Sequence, residues 1–376
     1  MKNNRKIKRK EKEIDIYMCK LYDEINPKRF WTEGGHKMAV SIRDVAKYAG
    51  VSVSTVSRAL NGYSDVYEDT RKKIQKTVEE LGYMPNQSAK NLSSKSKKNI
   101  ALIICDIEKE EKLDEFTGNI LKGVYEFVNE KGMTIATYGI NTRMQREKTL
   151  KDLCDRYSLS GIMLLGMKIQ DPYLSEAAAM DIPCVVVDTY IEGRNTATVA
   201  TDDVKAFEEI TDYVLDQGHR NVVLVKGRKE AEVTYKRTAG FEMSLKKHGI
   251  DYHKADTFEC NFREEEAYRL TKAYIEEYRK TRASAFICMS DIMALGVCRA
   301  INECGYLVPG DFSVTGFDGL YVLQYVKPGI TTIDQNVREK GYSGVKTLYE
   351  MMQGKAGPQN IYVPYKLTKR DSVTKI

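Results

Sequence analysis

The eight cysteines of this chain, at positions 19, 105, 154, 184, 260, 288, 298 and 304, form no CxxC pair. Its four histidines (36, 219, 248, 253) fall in no metal-ligating or nucleophile–base spacing. Zinc modules, disulfide frameworks and the common hydrolase arrangements are thereby excluded, and no metal is expected. Several thiols lie inside apolar runs, Cys105 in IALIIC and Cys288 in AFICM, as buried reduced cysteines of a cytoplasmic protein would. There is no GxxxxGK[ST] loop and no GxGxxG after the first strand, so neither an enzyme nor a bound cofactor is expected. No apolar run approaches the roughly 20 residues of a membrane span, and the N-terminus lacks a signal-peptide core. A cytoplasmic protein without a membrane partner is expected.

What is present suits a soluble protein of about two or three domains. Hydrophobic residues make up 42% and charged residues 30% of the 376 positions. The net charge of +6 is unevenly placed. Residues 1–37 and residues 38–98 each carry 11 Lys/Arg against 6 Asp/Glu, whereas 99–376 carries 37 against 41. Positive charge is therefore concentrated where a polyanion would be met, ahead of a mildly acidic globule.

Ser41–Asn61, SIRDVAKYAGVSVSTVSRALN, is the most informative stretch. Ile42, Val45, Ala46 and Ala49 recur at helical spacing, with Ser41 as N-cap and Asp44 in the first turn. Gly50 makes a turn, and a second short helix directs Val56, Ala59 and Leu60 inward. Its outer face carries Val53, Ser54, Ser57, Arg58 and Asn61, short hydrogen-bonding side chains that can lie against base edges in a major groove. A third helix, from about Glu68 to Leu81, packs Ile74, Val78 and Leu81 inward and ends at Gly82.

In these residues, and from there to about Ser372, the chain resembles the LacI/GalR family of bacterial transcription regulators. The resemblance implies an N-terminal all-α helix-turn-helix headpiece and an α/β, periplasmic-binding-protein-like effector core of two parallel-sheet subdomains. Read this way, residues 38–84 are the DNA-binding domain, 85–98 the hinge helix and linker, and 99–376 the effector-binding and dimerisation core. Within the core, 99–199 and 336–362 form one subdomain, and 200–335 and 363–376 the other. By the resemblance Val53, Ser54, Ser57 and Arg58 contact bases, Asn61 lies on the same face, and Thr55 contacts a phosphate. Ala89 falls in the hinge helix, and Leu92 occupies the position of a leucine wedged between central base pairs. The alternative for 85–98 is a Ser/Lys linker with one incidental leucine. A homodimer on palindromic operator DNA follows from matched two-fold symmetry. The closing YVPYKLTKRDSV matches the family's ending without a heptad extension for tetramers.

Residues 1–37 are either a basic arm that tracks phosphates or an upstream extension of a protein that starts at Met38. Glu33-Gly34-Gly35 favours the second, because those codons can spell a ribosome-binding sequence.

Beyond Asn99, buried strands alternate with amphipathic helices in two similar halves, and glycines 132, 218, 249 and 305 mark helix ends. The resemblance places a small-molecule effector in the cleft between the halves, at the carboxyl ends of strands. Asp188, Arg237 and Asp318 are the matching polar residues, Phe116 and Phe262 the matching aromatics, and Ser290 stands where the family often has an amide. An arginine flanked by two carboxylates suits vicinal hydroxyls, so a sugar effector and a carbohydrate-utilisation repressor are expected. A strand-end carboxylate can also merely cap the next helix, and Asp202 and Asp291 are read as caps or subdomain contacts. The alternative function is co-repressor-dependent regulation by a purine or a partner protein. A sugar-binding transport component is opposed by the headpiece and the absent signal peptide.

Overall fold

The computed structural model describes residues 40–60, 63, 65–83, 99–106, 115–252, 256–277 and 283–376. The 1–37 extension, Asn61, the hinge 85–98 with Ala89 and Leu92, and the charged loop 107–114 lie outside the described residues. The chain divides into two units, 1–97 and 98–376. Among the described residues no helix is long and apolar enough to cross a membrane.

The first unit contains α1 (Ile42–Ala49), α2 (Val53–Leu60) and α3 (Glu68–Leu81). Ser41 and Asp44 form a reciprocal capping box at the start of α1, and Gly50 ends it at φ 65°. Ser52 Oγ accepts from Thr55 N (3.0 Å), capping α2. Val45, Ala46, Ala49, Val56, Ala59, Val66 and Ile74 form one buried cluster, so each helix contributes one face to a common core.

The second unit holds two parallel sheets. The first subdomain comprises β1 (Asn99–Cys105), α4 (Glu115–Glu130), β2 (Ile135–Ile140), α5 (Thr142–Glu147), α6 (Leu150–Tyr157), β3 (Leu159–Leu165), α7 (Pro172–Ala179), β4 (Cys184–Val187) and β5 (Thr196–Ala200). The chain then passes to the second subdomain through α8 (Asp203–Asp216), β6 (Val222–Lys226), α9 (Glu232–Lys247), β7 (Asp256–Glu259), α10 (Glu264–Glu277), β8 (Ala285–Cys288), α11 (Asp291–Glu303), β9 (Ser313–Asp318) and β10 (Thr331–Asp334). It returns for α12 (Val337–Met352) and β11 (Gln359–Tyr362), and crosses a third time to β12 (Lys366–Thr368). The strand orders are β11-β5-β4-β3-β1-β2 and β12-β10-β9-β8-β6-β7, all parallel except β12.

Runs such as ALIIC, CVVV and AFIC are buried along their whole length, as strands covered by helices on both faces must be. Phe207, Phe241, Phe286, Phe312 and Phe317 fill the core of the second subdomain. In the first, α4 and α12 approach backbone to backbone. A Cβ on Gly123 would lie 1.9 Å from Arg338 O, and one on Gly341 2.1 Å from Ile120 O. Of the seven cysteines described, six are buried and none is in a disulfide. Burial pushes Cys105, Cys260 and Cys298 up to about 12, which leaves them poor nucleophiles.

Candidate DNA-reading helix and effector cleft

On α2, Val53 is 41% exposed and Ser54 and Arg58 are exposed, while Thr55 and Ser57 are half-buried. The Ser52, Ser54 and Thr55 hydroxyls cluster at the helix start, with Ser52 Oγ 2.7 Å from Ser54 Oγ and 2.8 Å from Thr55 Oγ1. A helix N-terminus bearing clustered hydroxyls is suited to a phosphate, and the outward face beyond it to base edges. Arg58 is already engaged by Asp65, with Nε 3.2 Å from Oδ1 and Nη2 donating to Oδ2.

In the core, three strands that face the junction of the subdomains end in aspartates with positive φ: Asp106 after β1 (59°), Asp188 after β4 (59°) and Asp318 closing β9 (137°). Such backbone strain is commonly kept where a site needs it. Asp188 Oδ1 accepts from Lys340 Nζ at 2.7 Å. Lys340, on α12, is fully buried, donates also to Gln335 Oε1, and stands 5.7 Å from the Phe116 ring centroid. Gln335 lies in the second crossover. Its Oε1 also accepts from Thr201 Oγ1 (3.1 Å) in the first crossover, and its Nε2 donates to Asp318 Oδ1 (2.6 Å).

Arg237 is 3% exposed; Nε donates to Asp203 Oδ1 (2.8 Å), Nη1 donates to Met289 O, and its guanidinium lies 3.9 Å from the Phe317 centroid. The remaining N–H groups of Arg237 have no hydrogen-bond partner among the described residues. Asp203 Oδ2 is buried without a hydrogen-bond partner among the described residues. Burial, and then the neighbouring Asp291 charge, hold the Asp318 carboxyl well above the ordinary carboxylate range.

The structure therefore brings Asp188, Arg237, Asp318 and Phe116 to one place. Ser290 lies at its edge with its hydroxyl capping α11, accepting from Met293 N (3.3 Å). Phe262 adopts φ 60° and covers Gly227, where any Cβ would fall 2.0 Å from the ring. Asp202 caps α8 through Lys205 N. Asp291 does not cap α11; it is fully buried and accepts from Thr332 Oγ1 (2.6 Å) and Leu320 N (2.8 Å), joining α11 to β9 and β10.

Lys340, Gln335, Asp203 and Phe317 were not singled out in the sequence, where Lys340 reads as a solvated lysine on a helix. The two subdomains also touch at their rims: Ile169 N donates to Glu230 O (2.9 Å), Tyr190 N to Glu232 Oε2 (2.8 Å) and Tyr321 N to Glu115 Oε1 (2.6 Å). A cavity of about 660 Å³ opens elsewhere, along the third crossover between Asp202, Glu209, Tyr362, Tyr365 and Lys369, and none of the predicted effector residues lines it. Among the described residues no group of three His, Cys, Asp or Glu could hold a metal ion.

A three-helix reading unit joined to a hinged two-sheet clamshell defines a DNA-binding protein with a small-molecule sensor. Comparison with known proteins agrees. Residues 41–86 match the model of bacterial regulatory proteins of the lacI family, and residues 211–373 match a periplasmic binding protein-like domain. The HTH-type transcriptional repressor CytR of Escherichia coli K12 is 28% identical over 317 residues, 84% of this chain and 91% of its own. The HTH-type transcriptional regulator RegA of Clostridium saccharobutylicum is 26% identical over 337 residues, 89% of this chain and 99% of its own. A crystal structure of the lac repressor dimer bound to operator and the anti-inducer ONPF superposes with a TM-score of 0.79 at 26% identity, covering 90% of this chain and 100% of that one. The chain thus carries a DNA-binding segment of the lacI-family type and a periplasmic binding protein-like domain, and is a DNA-binding transcription regulator responsive to a small-molecule effector.

Proposed function

We propose that the protein is a cytoplasmic homodimeric repressor of a carbohydrate-utilisation operon. Val53, Ser54, Ser57, Arg58 and Asn61 read a palindromic operator, Thr55 holds a phosphate, and Ala89 and Leu92 act in the hinge. The effector, a sugar, sits between the core subdomains against Asp188, Arg237, Asp318, Phe116, Phe262 and Ser290. The observation that carries the effector site is the network Asp188–Lys340–Gln335–Asp318 with Arg237 beside it, which spans both subdomains and two crossovers. A ligand that re-pairs these groups differs in affinity between arrangements of the two subdomains, which is the condition for coupling to DNA. The lac repressor's dimeric, operator-bound and ligand-bound structure supports the same arrangement here.

One observation favours a second effector class. Lys340 already occupies an oxygen of Asp188 and Gln335 an oxygen of Asp318, which reduces the acceptors left for sugar hydroxyls. A planar purine, stacked on the aromatics and hydrogen-bonded to Arg237, needs fewer of them.

The test has two parts. Selection from randomised duplexes with the full chain should enrich an inverted repeat, with binding that falls steeply with salt; no such consensus refutes the DNA reading. A thermal-shift screen of sugars and purines then separates the effector classes. The variant R237M/D203N removes both members of the buried pair, and should lose the ligand shift while keeping operator binding. Retention of the ligand response would remove Arg237 from the site.

A further inference from the structure

The engagement of Arg58 with an acid on the reading face goes beyond assigning it to base contact, although it rests on that reading. Half of each partner's side chain is exposed, 50% for Arg58 and 54% for Asp65, yet the pairing is well defined. Asp65 takes the guanidinium edge formed by Nε and Nη2, and Arg58 also sits with its guanidinium carbon 5.0 Å from the centroid of Tyr63.

The segment carrying both partners of Arg58 is fastened on two sides. Arg71 of α3 donates from Nη1 to Ala59 O (3.0 Å) and from Nη2 to Tyr63 O (2.7 Å). Tyr63 N donates to Arg58 O (3.1 Å), and Val66, the residue after Asp65, is buried in the headpiece core. Asp65 is thus held in place by backbone bonds and packing that do not involve the Arg58 side chain.

A guanidinium has five N–H groups, and those on its side edge and its terminal edge can each meet two acceptors. With the side edge held by Asp65, the edge still free for a bidentate contact is the terminal one, which fits O6 and N7 of a guanine. The carboxylate also cancels the charge that would draw a free arginine to a backbone phosphate.

We propose that Asp65 is a positioning residue for base recognition: it presents Arg58 to guanine by its terminal edge and keeps it from phosphates. The pairing converts a cation of general DNA affinity into one that discriminates among bases.

The test uses the full chain and the operator obtained by selection, with single base-pair replacements across each half-site. R58A first identifies the guanine that depends on Arg58. In D65N, discrimination at that base pair should fall by about tenfold. Affinity for an unrelated duplex should rise, and its log–log salt slope should steepen by about one unit, as Arg58 gains a phosphate. Introduced into R58A, D65N should change no base preference. A purely structural role for Asp65 would instead weaken specific and non-specific binding together and lower the melting temperature. Either that result, or unchanged guanine discrimination in D65N, overturns the proposal while leaving Arg58 as a reader. Absence of any Arg58-dependent guanine would overturn both.

Discussion

The two walls of the cleft hold their acids in opposite ways. On the first subdomain each strand-end aspartate meets a lysine: Asp106 with Lys168 at 2.6 Å, and Asp188 with Lys340 at 2.7 Å. On the second, Asp318 meets the neutral amide of Gln335, and burial, with the neighbouring buried acid Asp291 adding to it, pushes it toward the protonated form. One wall is therefore a set of ion pairs and the other a pair of neighbouring buried carboxyls, with Arg237 and Asp203 at its margin. Ion pairs keep their strength across ordinary pH, whereas a cluster of raised carboxyls changes charge within it. The difference identifies the second wall as the side whose charge responds to solution conditions.

The comparison can be broken first at the margin. R237A alone leaves Asp203 as a buried charge without its partner, and should cost about 3–5 kcal/mol of stability in denaturant titration. The double variant R237M/D203N should recover most of that loss; if the single and double variants are equally unstable, the pair is not the source. On the first wall, K340M removes the ammonium but keeps much of the volume. It should cost about 1–3 kcal/mol, less than R237A, because Asp188 retains some access to water. A K340M protein as stable as wild type would show that the Asp188 pair contributes no net stability.

The smallest effect sharpens the second wall. Burial raises Asp291 to about 6 from an ordinary 3.8, so the folded state binds its proton more tightly than the unfolded chain. That preference stabilises the fold below about pH 4 and is lost as pH rises through about 6, a swing of at most about 3 kcal/mol. D291N loses acceptor capacity at every pH, but its penalty relative to wild type should shrink from pH 4.5 to 7. A penalty constant over that range would place the titration elsewhere in the network.

Much of the architecture was legible in the chain because its signals are local. Buried strands announce themselves as apolar runs, and Gly132, Gly218, Gly249 and Gly305 all adopt the positive φ expected of helix ends. The headpiece was legible for the same reason, since its caps and apolar stripe lie within one short segment. The cleft was legible only in part. Asp188, Arg237 and Asp318 stand at recognisable strand ends or in a recognisable motif, but their partners are 152, 34 and 17 residues away. Such pairings depend on strand order and crossover geometry, which no local pattern carries. Lys340 in VREKGYSGVKTLYEMM looks like any surface lysine until α12 is seen packed through Gly341 against α4. Asp203, buried at the start of α8, is similarly masked by its neighbour Asp202, which does the capping. Asp65 escaped attention because an exposed acid in a loop gives no sign of which cation it holds.

The triple passage of the chain between the sheets, near residues 201, 335 and 364, has a further mechanical consequence. Severing any one passage leaves two intact, so a backbone cut there would not let the halves drift apart. Such a molecule should tolerate new termini at a crossover, with the old ends joined, better than a protein whose lobes share one tether. The remaining pair of links would act like two pins of a door, permitting rotation about the line between them and resisting other movements.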